Sequence, residues 1–133
     1  MTRMNITAAS LLGAGLALAL ALSPAHATSK LKARWVGEEA GKFFAAYGPP
    51  TSDMSDGSKT VYGWRGGYSS RKIAAVKDKK GKIVTRARTE RLVCQVKLTV
   101  DKKYHIAKIE VLVDKPGVNG GPTWCEQFLD AAK

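Results

Sequence analysis

Cysteine, histidine and acidic residues are scarce in this sequence. Two Cys and two His are too few for a zinc-cluster protein, which needs several sites of four such ligands each. Only 11 Asp and Glu stand against 22 Lys and Arg, which leaves a formal net charge of +11. The 133 residues suffice for one domain, which argues against a multi-domain enzyme and a polytopic membrane protein. With 44% hydrophobic and 25% charged residues, the composition is that of a globular protein rather than a disordered one.

The N-terminal segment has the pattern of a secretory signal. A single positive charge precedes an apolar run (6–22), which is followed by Ser23-Pro24 and the small-residue triplet Ala25-His26-Ala27. This order predicts a signal peptide over 1–27 that is cleaved after the triplet, and a periplasmic or secreted mature protein (28–133) without a transmembrane segment. An uncleaved anchor is the alternative, because the run is close to the ~17 residues at which spanning begins. Its Gly and Ala content makes it only weakly hydrophobic, and no Cys follows the cleavage site to carry a lipid.

Both cysteines, Cys94 and Cys125, fall in the predicted mature chain, 31 positions apart. In an oxidising compartment, two Cys in a small domain most simply form one disulfide. In the chain-entropy treatment, closing a loop of this length stabilises the fold by roughly 3–4 kcal/mol. A redox-active or metal-binding pair is the alternative, but the spacing is not that of a CxxC motif.

One helix is indicated near the start of the mature chain. Apolar residues recur there with helical spacing, at Val36, Ala40, Phe43, Phe44 and Tyr47. We expect Gly37 to cap this helix at its start and Gly48-Pro49-Pro50 to end it, since Gly accepts a left-handed conformation and Pro cannot continue a helix. The polar and basic stretch before it, residues 28–34, is predicted to be frayed.

Two clear strand patterns lie in the second half of the chain. Leu92–Val100 alternates apolar and polar residues, so one face, which includes Cys94, is expected to be buried. After a turn, Ile106–Val113 is expected to bury Ile109, Val111 and Val113. A sharp turn between them predicts an antiparallel hairpin.

The strand signals before these two are weaker. Thr60–Trp64 is rich in β-branched and aromatic residues, and we expect Gly66-Gly67 to end that strand. The segment 51–58 before it is predicted to be a loop. Further on, residues 73–76 and 82–89 flank Asp78-Lys79-Lys80-Gly81 and indicate either a second hairpin or a mobile loop.

The chain closes with a second short helix. Thr123 and Glu126 form an S/T-x-x-E capping box that marks its start, and its apolar face contains Cys125, Phe128, Leu129 and Ala132. The disulfide is therefore predicted to tie this helix to the central strand. The whole pattern predicts a single two-layer α+β domain over 28–133, with helices packed on a three- to four-stranded antiparallel sheet.

Several short motifs together resemble a known family. They are Gly37, Phe44, Tyr47-Gly48-Pro49-Pro50-Thr51, Val61-Tyr62-Gly63-Trp64 and the hairpin strands Val96–Asp101 and Ile106–Ile109. They cover 37–64 and 92–113 and resemble the SmpA/OmlA family, small lipoproteins that accompany the outer-membrane β-barrel assembly machinery. The resemblance implies helices on a three-stranded antiparallel sheet, a layout shared with the β-lactamase-inhibitor-like fold. This chain departs from the family in lacking the lipidated Cys and in carrying the basic stretch 65–91 and a disulfide-linked C-terminal helix.

No residue constellation typical of catalysis is present. His105, the one histidine of the predicted mature chain, lies beside a turn without the acid and nucleophile of a catalytic triad. Asp53 and Asp56 lack the ligand spacing of a calcium loop and are explained by turn formation. A phosphate-binding Gly-rich motif is also absent. We therefore expect no enzymatic activity, no metal and no cofactor.

Positive charge is concentrated in residues 65–91, the basic segment. It holds ten Lys and Arg against Asp78 and Glu90, a net +8 of the +10 expected for the mature chain. The candidate contact residues in it are basic or aromatic: Arg65, Tyr68, Arg71, Lys72, Lys79, Lys80, Lys82, Arg86 and Arg88. Such side chains suit nucleic acid, but predicted export argues against it. Predicted export favours instead an anionic envelope component, a peripherally contacted membrane or an acidic protein face as the partner. The alternative is that the segment is only a solvated loop.

Two functions fit these observations. The first is a non-enzymatic binding or assembly-accessory protein of the bacterial periplasm or cell envelope, which uses the basic segment to contact an anionic partner. The alternative is a secreted inhibitor on a β-lactamase-inhibitor-like scaffold. Charge separates them, because an inhibitor this basic needs an acidic target. We favour the first.

Overall fold

A computed structural model describes residues 25–132, and side chains from Lys30 onward. The predicted signal peptide therefore lies outside the described residues except for its last three. Within the described range, the helices are α1 (Ala25–Trp35), α2 (Ala40–Tyr47) and α3 (Trp124–Phe128). The strands are β1 (Ser52–Ser55), β2 (Thr60–Ile73), β3 (Val76–Lys77), β4 (Ile83–Thr85), β5 (Arg88–Val100) and β6 (Ile106–Val113).

The main sheet has four antiparallel strands in the order β1-β2-β5-β6, and β3 and β4 form a separate two-stranded sheet. In the register of the central pair, Tyr62 lies opposite Leu98 and Trp64 opposite Val96. These side chains point to the same face of the sheet, the face that the helices cover. The predicted two-layer α+β fold is confirmed, with four strands in its main sheet.

The strand β5 supplies the centre of the core. Its alternation is confirmed, because one side chain in two is buried: Leu92, Cys94, Val96, Leu98 and Val100. On β6 the prediction is partly wrong, since Ile106 and Ile109 are the buried residues while Val111 and Val113 are half-buried. The register shift opposite Thr99 and Val100 brings Ile106 against Val100 and Ile109 against Leu98, and a second shift sets Val113 against Gln95.

The stretch predicted to be frayed, residues 28–34, belongs to α1, so that prediction is wrong. Leu31 and Trp35, one helical turn apart, are buried against the sheet. The indole Nε1 of Trp35 donates a hydrogen bond to the carbonyl of Leu129, 2.8 Å away, and the Arg34 guanidinium lies 4.1 Å from the ring centre of Trp35. Leu31 and Trp35 thus tie the described part of this helix to the core, although lysines and arginines surround them in the sequence.

The next helix, α2, begins at Ala40 rather than at Val36, which is exposed. The residues between continue the edge of the sheet: the amide of Gly37 donates to the carbonyl of Ile106, and the amide of Ile106 donates to Glu38. These bonds compete with a helical turn, so the expected Gly37 cap is wrong. The predicted helix end is confirmed, because Gly48 takes a φ of +103° and donates to the carbonyl of Phe44.

Two further corrections concern the first strands. The predicted loop 51–58 contains β1, which pairs with β2 from Ser52 opposite Gly63 onward. The expected break at Gly66-Gly67 is a β-bulge, and β2 continues beyond it to Ile73. A left-handed glycine is one of the ways in which a strand absorbs an extra residue without ending.

The core between the two layers is aromatic. Every Trp, Phe and Tyr side chain except Tyr68 belongs to one network of edge-to-face and stacked rings. Trp64 lies at its centre, within 5.5 Å of Phe43 and 6.0 Å of Phe128 between ring centres, and is fully buried. Aromatic pairs in these arrangements stabilise a core beyond the area that they bury.

The predicted capping box and disulfide both form at α3. The Thr123 hydroxyl accepts from the amide of Glu126, and Cys94 is bonded to Cys125 with 5.1 Å between their Cα atoms. The predicted apolar face is wrong at its end, where Ala132 is exposed and Ala131 is buried. The helix ends at Phe128, and a left-handed Asp130 turns the chain.

Candidate functional site

Most of the basic segment forms a β-hairpin arm. We define the arm as residues 69–91: the outer part of β2, the β3–β4 hairpin and the start of β5. Its strands stay paired from Ser70 opposite Arg91 to Ile73 opposite Arg88, and β3 and β4 then pair by themselves. Of the two interpretations that the sequence left open, the hairpin is confirmed.

The bulge joins this arm to the body of the domain. Gly67 has a φ of +66°, and a Cβ placed there would lie 3.0 Å from Cγ of Phe128. The indole Nε1 of Trp124 donates to the carbonyl of Gly67 over 2.8 Å. The short helix α3 thus holds the bulge from one side, which fixes where the arm leaves the core.

A charged cluster holds the base of the arm. Arg71 donates to Glu90 (Nε to Oε2, 3.0 Å) and to the backbone carbonyl of Pro116 (2.7 Å). Arg88 donates to the other oxygen of Glu90 at 2.9 Å. Hydrogen bonds from Arg71 and then Arg88 hold the pKa of the Glu90 carboxyl below its usual range. Of the candidate contact residues, Arg71 is therefore half-buried and occupied within the chain, whereas Arg88 keeps an exposed side.

The tip of the arm presents lysines. The Asp78 Oδ1 atom accepts from the amides of Lys80 and Lys82, each at 2.9 Å, and Gly81 closes the turn with a φ of +80°. An Asx turn of this kind directs a carboxylate oxygen to the backbone. The side chains of the tip lysines and of the flanking basic residues are exposed: Lys72, Lys77, Lys79, Lys80, Lys82 and Arg86. Within the part of the chain that the structure describes, none of them is in an ion pair.

Arg65 and Tyr68 lie apart from the tip. Arg65 is on the sheet face that the helices leave open, where its guanidinium donates to the Gln95 side chain at 2.7 Å. Tyr68, in the bulge, is 72% exposed. On the same open face Lys108 and Lys97 hydrogen-bond Glu110 and lower the pKa of its carboxyl. The nine candidates therefore form a tip group, a base group and this separate pair.

The sequence analysis does not predict that aliphatic side chains of the arm are exposed. Val76, Ile83 and Val84 are 54%, 53% and 66% exposed and lie on the β3–β4 hairpin among the lysines. Their strand signal was recognised, but a strand pattern does not tell whether a core lies beneath it. One sign of their exposure is present in the sequence, because Lys77, Lys82 and Arg86 are interleaved with them and leave no uniform apolar face that a core could cover.

Two shallow depressions flank the sheet. One, of about 670 Å³, lies between Lys32, Lys59 and Lys108, and another, of about 500 Å³, lies at the base of the arm beside Arg71 and Trp124. Among residues 25–132, no three His, Cys, Asp or Glu side chains lie close enough to hold a metal ion. Over the same range, no helix combines the length and hydropathy needed to cross a bilayer.

Comparisons with protein-family models, with curated proteins and with solved structures find no match for this chain. The resemblance to the SmpA/OmlA family therefore stays a prediction from the sequence. A function is therefore inferred from the geometry of the arm.

Proposed function

We propose that this chain is an exported, non-enzymatic binding or assembly-accessory protein of the bacterial periplasm or cell envelope, whose arm contacts an anionic partner. The observation that carries the proposal is the separation of charge on the arm. Its lysine-rich tip projects from the body, while its two acidic residues, Asp78 and Glu90, are engaged within the chain. A partner with dense negative charge meets several cations at the tip against the one exposed carboxylate of Asp78.

The arrangement of the arm favours a contact over mere solubility. A cluster that only raises solubility works equally well when spread over a surface. Here the cations are gathered on a hairpin whose base is fixed by Arg71, Glu90 and the carbonyl of Pro116. Such a base orients the tip, and fixed orientation lowers the entropy lost when several weak contacts form at once.

Charge reversal tests the proposal. The variant Lys79→Glu/Lys80→Glu/Lys82→Glu should bind lipopolysaccharide and polyglutamate at least tenfold more weakly than the wild type, because each exposed contact contributes on the order of 1 kcal/mol or less and three are inverted. Wild-type binding should weaken as salt shortens the screening length from ~10 Å at 0.1 M to ~3 Å at 1 M. Binding is measured by fluorescence anisotropy of the labelled polyanion.

A matched control inverts the charge of three lysines far from the arm. Lys59, Lys102 and Lys103 lie at the end of the sheet opposite the arm and are exposed. Their triple change to Glu alters the net charge equally, so a long-range field effect would weaken binding to the same degree. Equal affinities of the two variants, or unchanged affinity of the tip variant at low salt, would show that the arm is not the contact.

Export and the choice of function have their own tests. Intact-mass measurement of the protein from an exporting host should give a chain that starts at Thr28, which would leave Leu31 and Trp35 to hold α1. A product that retains residues 6–22 in the membrane would contradict cleavage. The alternative function, a secreted inhibitor, predicts that affinity purification recovers an acidic enzyme and that the chain abolishes its activity.

A further inference from the structure

We infer that the anionic partner of the arm is a lipid surface, and that Val76, Ile83 and Val84 enter its interfacial layer while the neighbouring lysines bind the lipid phosphates. This inference rests on the proposed function and specifies its partner. Charge alone does not explain why aliphatic side chains are exposed among the lysines. Half to two thirds of each of the three side chains is exposed in the most basic part of the chain.

The aliphatic residues have no core of their own. Beyond Ile73 and Arg88 the strands leave the main sheet, and β3 and β4 pair only with each other. Over the described residues, β3 and β4 have substantial contact only with each other. A two-stranded hairpin is marginal in water, so exposed Val76, Ile83 and Val84 gain by reaching an apolar environment.

A lipid surface supplies both kinds of contact at once. Its headgroup layer carries phosphate charge, and the acyl boundary lies only ~5–10 Å beneath it. Lysine side chains suit that boundary, because their hydrocarbon stems lie along apolar surface while the ammonium group reaches the headgroups. Each Lys or Arg near an anionic membrane adds about 1 kcal/mol of attraction, and the hairpin and its turn carry Lys77, Lys79, Lys80 and Lys82.

The geometry of the arm allows such a contact without moving the body. From Arg71, which is bonded to the body, to Lys79 at the turn, a fully extended rise of ~3.3 Å per residue sets an upper limit of about 26 Å. The Asp78 Oδ1 atom accepts from the amides of Lys80 and Lys82, which holds the turn that presents the lysines in one shape. The aromatic core therefore stays clear of the bilayer when the hairpin lies on it.

The test uses the full mature chain and vesicles of two compositions. Wild type should sediment with vesicles that contain phosphatidylglycerol and not with pure phosphatidylcholine vesicles. The variant Ile83→Ser/Val84→Ser keeps every charge; it should bind phosphatidylglycerol vesicles about tenfold more weakly, since two partly exposed aliphatic side chains lose their apolar contact. Its affinity for polyglutamate should equal that of the wild type.

The matched control is Leu112→Ser. Leu112 is 53% exposed, as is Ile83, but lies on β6, and its change should leave vesicle binding unaltered. A polarity-sensitive fluorophore on Ile83→Cys should shift to the blue on phosphatidylglycerol vesicles, and the same fluorophore on Leu112→Cys should not. The Cys94–Cys125 disulfide is left intact in both labelled proteins.

The outcomes separate the two proposals. If Ile83→Ser/Val84→Ser binds the vesicles as tightly as the wild type and the fluorophore does not shift, the lipid inference is wrong, and reduced polyglutamate binding by the Lys79/Lys80/Lys82 reversal would still support the proposed function. If that reversal changes neither vesicle nor polyglutamate binding, the proposed function itself fails. Tighter binding of the wild type to an acidic protein than to the vesicles would also overturn the lipid inference.

Discussion

Replacement of Gly67 by Ala tests whether the bulge is held by packing as well as by backbone geometry. A non-glycine residue at a φ of +66° costs roughly 1–2 kcal/mol. The added methyl group would also lie 3.0–3.2 Å from three ring atoms of Phe128. That ring has little room to yield, because Tyr47, Trp64 and Trp124 surround it. Overpacking of this kind adds roughly 1–3 kcal/mol, so the total loss should be about 2–5 kcal/mol.

The chain offers a control that separates the two causes. Gly57 has a similar φ of +75°, and no atom lies within 4 Å of a Cβ built on it. Gly57→Ala should therefore lose only the backbone share, partly offset by the reduced entropy of the unfolded chain. Urea denaturation of both variants gives the two free energies of unfolding. If Gly67→Ala is no less stable than Gly57→Ala, the contact with Phe128 does not constrain the bulge.

Three further changes probe the core and the base of the arm. Cys94→Ala/Cys125→Ala should lower the free energy of unfolding by about 3–4 kcal/mol, and reduced wild type should approach the same value in urea; a loss below about 1 kcal/mol would contradict this. Trp64→Ala should cost about 3–5 kcal/mol in the same assay, against less than about 0.5 kcal/mol for Tyr68→Ala. Because the folded-state pKa of Glu90 lies below its unfolded value, its carboxylate stabilises the fold fully above the usual pKa of ~4.3, and this contribution is lost as pH falls through the lowered value. Glu90→Gln should therefore speed amide hydrogen exchange of the arm at neutral pH. If the exchange rates of variant and wild type still differed well below the lowered pKa, the ion pairs would not be the cause.

The sequence predicts the elements that meet the core with a regular period. The alternation of Leu92–Val100 and the ring spacing around Phe43 each describe one buried face, so both elements were found. The α1 helix was missed because, among its residues 30–35, only Leu31 and Trp35 are buried, and the Trp35 side chain is bonded to Leu129 in a distant segment. The start of α2 was misplaced because pairing with Ile106, which no local pattern reports, draws the chain into the sheet edge.

The candidate site was predicted as a set of charges rather than as a surface. Composition located the basic segment, but Arg71 is bonded to Glu90 and to Pro116; the first contact follows from strand register and the second from the fold of the loop after β6. The bulge at Gly66-Gly67 decided that register, and two glycines in a row are equally typical of a strand end. Exposure of Ile83 and Val84 could not be predicted either, because it depends on where the covered part of the sheet stops.

The aromatic network gives the molecule an uneven optical response. Trp35, Trp64 and Trp124 all belong to it, while residues 69–91 contain no aromatic side chain. Intrinsic tryptophan fluorescence and near-ultraviolet circular dichroism therefore follow the body of the domain and are insensitive to the outer hairpin of β3 and β4. If this hairpin unfolds, binds a partner or is cut by a protease, both spectra stay unchanged. A native-like spectrum therefore shows only that the part of the molecule around the rings is folded.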